Sequence, residues 1–270
     1  MDVRRVPQQR KETMKEKITI VKVGGKIVED DASLDVLLNG FTAIGGHKLL
    51  VHGGGRTATD VAARLGIETV MVGGRRVTDA AMLRVVTMVY GGLVNKQVVA
   101  RLQARGVNAL GLTGADMDVV RSLRRPVAEV DYGFVGDVEH VDAERLALLV
   151  RSGVTPVMAP LTHDGRGCLL NTNADTIAGE VARALAPLFD VTLVYCFEHA
   201  GVLADPMRED SVIPRIDRAT FAALREDGTV GGGMLPKLEN CLAAVDAGVA
   251  RVVITRADAL APGQGTEIVA

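Results

Sequence analysis

The sequence predicts an α/β fold, a three-layer open sandwich on a mainly parallel central sheet. Three observations predict it. Apolar, β-branched runs of strand length alternate with segments of helical period along the chain, the order that yields crossover connections and parallel pairing. Glycine supplies 30 of the 270 residues, well above the usual share of about 7%, and it gathers where strands give way to helices. The composition, 48% hydrophobic and 24% charged, is that of a globular chain able to bury a core, which excludes disordered, collagen-like and coiled-coil readings.

The elements follow in order. Ile18 to Val23 alternates β-branched residues up to Gly24-Gly25, a strand ending in a tight turn. Asp31 and Ser33 open a helix whose apolar face is Leu34, Leu37, Leu38, Phe41 and Ile44, stopped by Gly45-Gly46. Lys48 to His52 is a second strand, followed by Gly53-Gly54-Gly55 and a helix bearing Val61, Ala62 and Leu65. Residues 68–78 read as a β-hairpin turning at Gly73-Gly74, and Thr78-Asp79 opens a helical stretch to about Arg105 with Gly91-Gly92 inside it. Asn108 to Leu112 is a strand, residues 119–141 read as antiparallel ribbons, 143–151 as helix and 155–159 as strand. Beyond lie a helix at 176–185, an apolar strand at 191–196, helices at 217–226 and 234–247, and strands at 251–255 and 266–269.

This organisation predicts a polar, disordered extension over 1–16, a lobe over 17–160 and a second over 161–270, together one domain with its ligand cleft between. The extension has no apolar core of a secretory signal, and no run of some 18 apolar residues spans a membrane. A net charge of −2 offers no field for a nucleic acid. Three widely spaced cysteines, Cys168, Cys196 and Cys241, fit neither a disulfide framework nor zinc spacing, so a cytoplasmic protein without a metal cluster is expected.

Glycine loops between strand and helix bring backbone amides close to an anion. Lys22, two residues before Gly24-Gly25, lies inside an apolar strand, where an ammonium requires a charged partner or an outlet at the strand end. Gly53 to Ala58 satisfies a relaxed dinucleotide pattern but follows the second strand and lacks the ribose-binding acid at the right place. His52 beside it reads as a satisfied structural histidine. Gly231-Gly232-Gly233 precedes Met234-Leu235-Pro236-Lys237, with Pro236 suited to a first helical turn and Lys237 at that helix start. Asn173 suits a cap, with Asp175 in the first turn behind it. There is no Walker loop, no Ser-His-Asp set and no metal-ligand cluster. Lysines and glycine amides without a general base suit phosphoryl transfer to a carboxylate, which is already ionised at neutral pH.

Taken in order, Lys22-Val23-Gly24-Gly25, Val51 to Gly55, Gly74-Arg75-Arg76-Val77-Thr78, Asn171 to Asp175 and Gly232 to Lys237 resemble the motif set of the amino acid kinase family. Val130 to Asp137 resembles a segment those enzymes carry between lobes. The branch resembled is the one that phosphorylates N-acetyl-L-glutamate in arginine biosynthesis. The resemblance implies that 17–160 binds the acylated glutamate and 161–270 binds ATP with Mg²⁺. It implies that Lys22 and Lys237 neutralise the transferring group, with Asp175 holding both lysines. Gly24, Gly25, Gly232 and Gly233 would contact the nucleotide phosphates. Gly54, Gly55, Arg76 and Asn171 would bind the substrate, Arg76 through its α-carboxylate. Where the family has Thr/Ser-Asp-Val, this chain has Phe197-Glu198-His199. The extension lacks the apolar arm of hexameric relatives, so a homodimer is expected. N-succinylglutamate or another amino-acid acceptor, and a ligand sensor without turnover, remain open readings.

Overall fold

The computed structural model describes residues 15–205, 207–231, 234–260 and 264–270. Of the expected extension, Lys15 and Glu16 are therefore described, and both are tied down. Lys15 Nζ donates to Ala186 O at 2.8 Å, and Glu16 accepts from Arg151 Nε at 2.8 Å.

The first half builds β1 (Lys17–Val23), α1 (Gly25–Glu29), α2 (Asp31–Ala43), β2 (His47–His52) and α3 (Gly55–Arg64). The hairpin β3 (Met71–Val72) and β4 (Arg75–Arg76) follows, then α4 (Ala80–Val86), a π-helical stretch (Thr87–Val94) and α5 (Asn95–Gln103). Next come β5 (Ala109–Leu112), β6 (Val120–Arg124), β7 (Gly136–Val141), α6 (Ala143–Arg151) and β8 (Thr155–Met158). The second half builds β9 (Leu161–His163), β10 (Leu169–Asn171), α7 (Ala174–Leu185) and β11 (Asp190–Phe197). It ends with β12 (Arg215–Ile216), α8 (Arg218–Glu226), α9 (Met234–Asp246), β13 (Arg251–Arg256) and β14 (Thr266–Ile268).

An eight-stranded sheet runs in the order β12-β14-β13-β11-β1-β2-β8-β5, parallel throughout except where β14 opposes β13. Its pleat sorts side chains to two helical layers. Ile18, Ile20 and Leu193 join α7 and α9 in one core; Val21, Val23, Leu50 and Val194 join α2 in the other. The parallel, three-layer expectation is met, and the 119–141 ribbons are β6 and β7 in a second sheet ordered β10-β9-β6-β7.

Three features depart from the sequence reading. Helix α1 is five residues long, too short for a periodic signal. Strands β9 and β10, three residues each, and β12, of two, were not foreseen. The helix expected over 79–105 is widened to π geometry at Thr87–Val94, which contains Gly91-Gly92; such turns commonly accompany ligand sites.

Candidate active site

The carboxyl ends of β1, β2 and β11 lie side by side at the middle of the sheet, where the loops after parallel strands form a ligand crevice. Lys22 stands in register with Ile18 and Ile20, so it faces the layer of α7 and α9. It is 7% exposed, and its ammonium lies 2.7 Å from Asp175 Oδ1, an ion pair set off the hydrogen-bond direction. Asp175 is placed by the cap of α7, where Asn173 Oδ1 accepts from the N–H groups of Asp175 at 2.8 Å and Thr176 at 3.1 Å.

Lys237, in the first turn of α9, comes to the same place but rests elsewhere. Its Nζ sits 3.4 Å from the centre of the Phe197 ring, and Lys22 Nζ is 5.3 Å from that centre. Among the described residues Lys237 forms no ion pair within 4.0 Å, so Asp175 directly holds one lysine, not both. Burial holds the Lys237 ammonium below the ordinary lysine range, with Asp175 acting against that shift and Lys22 reinforcing it. Phe197 ends β11 stacked on Tyr195, at 6.1 Å between ring centres. Neighbouring Glu198 pairs with Lys26 of α1.

The glycine loops interlock. Gly24 N–H donates to Cys196 O at 3.3 Å and Gly53 N–H to Val23 O at 3.0 Å. Among the described residues, Gly25, Gly54 and Gly55 have no hydrogen-bond acceptor for their N–H groups. A Cβ on Gly25 would lie 3.5 Å from both Gly54 N and Gly55 N, so the two glycine turns lie against each other here. Of the glycine pair that follows β1, Gly24 has its donor engaged by Cys196 O and Gly25 does not. Gly54 has φ +152°, and a Cβ there would press on Tyr90 Cδ1 at 3.2 Å. Gly232 and Gly233, the other expected phosphate contacts, lie outside the described residues.

On one side of this crossing is a pocket of about 210 Å³ that brings together Gly54, Gly55, Arg76, Tyr90 and Asn171. The Arg76 fork is aimed by Gly55 O at 2.8 Å, Thr59 Oγ1 at 2.9 Å and Thr69 Oγ1 at 3.2 Å. Asn171 Nδ2 donates to Thr78 Oγ1 at 2.9 Å. On the other side is a pocket of about 340 Å³ lined by Lys22, Gly24, Gly25, Lys26, Phe197 and Lys237 among others. A larger cavity of about 500 Å³ shares no lining residue with either.

Two of the cysteines are buried. Burial pushes the Cys196 and Cys241 thiols up to about 12. No group of three or more His, Cys, Asp and Glu suited to a metal occurs among the described residues, and none of their helices is long and apolar enough to cross a membrane. The basic run at 121–125 is paired locally, Arg121 with Asp118 and Arg125 with Asp137.

A sequence model of the amino acid kinase family matches residues 17–256. The chain belongs to that family. It is 68% identical over 255 residues to the acetylglutamate kinase of Bacteroides thetaiotaomicron, covering 94% of this chain and 99% of the relative. It is 51% identical over 246 residues to the acetylglutamate kinase of Cytophaga hutchinsonii, covering 91% and 93%. The crystal structure of smu.665 from Streptococcus mutans superposes with a TM-score of 0.77 at 27% identity, over 93% of this chain and 98% of that one. Within this amino acid kinase, sequence reasoning missed Phe197 and Tyr90. A signal existed for the first: aromatic residues make up only 3% of the chain, yet Tyr195 and Phe197 both fall at one strand end.

Proposed function

We propose that this amino acid kinase transfers the γ-phosphoryl group of ATP to the side-chain carboxylate of N-acetyl-L-glutamate, making an acyl phosphate in arginine biosynthesis. One observation carries the reading: the glycine turns bearing Gly25, Gly54 and Gly55 lie together between a pocket lined by Arg76 and a pocket lined by two lysines. Among the described residues no carboxylate or imidazole lines the acceptor-side pocket, as suits an acceptor that has no proton to lose. The carboxylate oxygen forms the new bond to phosphorus as the bridging oxygen leaves with ADP.

Arg76 and Asn171 hold the acceptor, Arg76 through its positive charge beside the α-carboxylate, and the Gly54 and Gly55 amides orient it. Gly25 and, beyond the described residues, Gly232 and Gly233 face the phosphates, with Gly24 shaping the turn. Lys22 and Lys237 neutralise charge on the transferring group, and Asp175 fixes Lys22. Mg²⁺ bound to phosphate oxygens and water would neutralise further charge, which fits a site without a carboxylate cluster. Residues 17–160 supply most of the acceptor pocket, with Asn171 to Ala174 reaching it from beyond that boundary, and the nucleotide-side pocket is shared evenly between 17–160 and 161–270.

Free thiols at all three cysteines suit a reducing cytoplasm. We also infer a homodimer, because β5 is a sheet edge with Leu110 40% exposed and exposed edges call for cover. The test is hydroxamate formation with ATP, Mg²⁺ and hydroxylamine, offering N-acetylglutamate, N-succinylglutamate, glutamate and aspartate separately. Signal with N-acetylglutamate supports the proposal; signal with another acceptor alone corrects the substrate; ATP binding without product from any of them overturns the reading.

A further inference from the structure

We propose that His52, as a neutral imidazole with its proton on Nδ1, is a positioning residue that aims the Gly54 N–H at the acceptor, with Asn95 selecting that tautomer. The inference rests on the reading that Gly54 binds the acceptor. His52 closes β2 and is fully buried. Its Nδ1 lies 2.7 Å from Gly53 O and its Nε2 3.1 Å from Asn95 Nδ2.

The proton positions follow from what each partner can do. Asn95 Nδ2 also donates to Val157 O at 2.9 Å, and Asn95 Oδ1 accepts from Lys96 Nζ at 3.0 Å. The amide is thus oriented from both ends, its NH₂ toward the imidazole. Nε2 must accept, so the single proton is on Nδ1, where Gly53 O accepts it. An imidazolium would set N–H against N–H. Burial independently pulls this histidine down to about 4.

The peptide plane carries the effect onward. Gly53 N–H is held by Val23 O, and a Cβ on Gly53 would be 3.0 Å from Gly25 N, so the residue is confined. Its carbonyl and the Gly54 N–H belong to one planar, trans unit and point in opposite directions. Holding Gly53 O by Nδ1–H therefore fixes the direction of the Gly54 N–H.

Two amide replacements separate the contacts. His52→Asn keeps a donor at the δ position, whereas His52→Gln keeps an acceptor for Asn95 and loses the bond to Gly53 O. The expected result is a KM for N-acetylglutamate raised about tenfold in His52→Gln, with KM for ATP within about twofold, and recovery to within about threefold in His52→Asn. In ¹⁵N NMR without substrate, the wild-type imidazole shows the Nδ1–H tautomer, and the Gly54 amide resonance moves in His52→Gln more than in His52→Asn. Equal KM values and equal Gly54 shifts in the two variants overturn the proposal, as does an Nε2–H imidazole in the wild type. A wild type inactive on every acceptor would sink the proposed function instead, while the spectra still decide the geometry. If His52→Gln does not fold, Asn95→Ala replaces it and is expected to lose the single tautomer.

Discussion

Asp175→Asn keeps side-chain volume but strips the Lys22 ammonium of its carboxylate. The two side chains are 9% and 20% exposed, close enough to full burial for the pair to escape most solvent screening. Removing one member of a buried pair typically costs about 3–5 kcal/mol. The Phe197 ring remains beside Lys22 at 5.3 Å and offsets about 1 kcal/mol, which places the expected loss near 3 kcal/mol. At about 2–4 °C per kcal/mol for a chain of this size, Tm falls by about 6–12 °C. Thermal denaturation followed by circular dichroism at neutral pH reads it. The double variant Lys22→Met/Asp175→Leu removes both charges and is expected to lose less than the two single variants together. A fall in Tm under about 2 °C for Asp175→Asn, or strict additivity in the double variant, would show that Lys22 does not depend on Asp175.

The other expectations concern activity and the glycine turn. Lys22→Ala and Lys237→Ala each lower kcat by about 10² or more, the scale for one preorganised charge-stabilising group, read by coupled ADP release. Because burial holds Lys237 below the ordinary lysine range, the ammonium is lost at a lower pH than in an exposed lysine. The kcat profile therefore falls early on its alkaline side, and Lys237→Arg, whose guanidinium stays charged, carries that fall to higher pH. Arg76→Lys cannot reproduce a fork bonded to Gly55 O and Thr59; a rise of about tenfold in acceptor KM with a smaller change in kcat is expected. Gly54→Ala meets both φ +152° and the Tyr90 ring; a loss of about 1–3 kcal/mol in stability is expected from chemical denaturation.

Much of this site was legible because its signals are local. A lysine inside an apolar strand demands a partner, and Lys22 has one. The hairpin announced itself through Gly73-Gly74, and the cap of α7 through Asn173. What escaped depends on distant segments. Neither Lys22 nor Lys237 reveals from its own neighbours that Phe197 of β11 will lie beneath both ammonium groups. Strands β9 and β10 are too short to show alternation, and nothing in residues 87–94 distinguishes a π turn from an α turn until Tyr90 must meet Gly54. Asp175 was expected to hold two lysines because pattern matching conveys proximity, and only coordinates separate an ion pair from an aromatic contact.

The crossing of the two glycine turns has a mechanical meaning. Where Gly53 passes Gly25, no side chain intervenes, and a Cβ on Gly53 would fall 3.0 Å from the other backbone. The partition between the two pockets is thus a single layer of peptide, and its thickness is set by bond lengths instead of by rotamers. Such a wall cannot be padded or thinned by ordinary substitution. Drift in the spacing of two reacting atoms by about 1 Å can cost about a hundredfold in rate. A partition made of main chain protects that spacing from most mutations, and leaves new acceptor specificities to arise at the outer rim of the pocket, at Met71 and Arg75, where side chains still have room to vary.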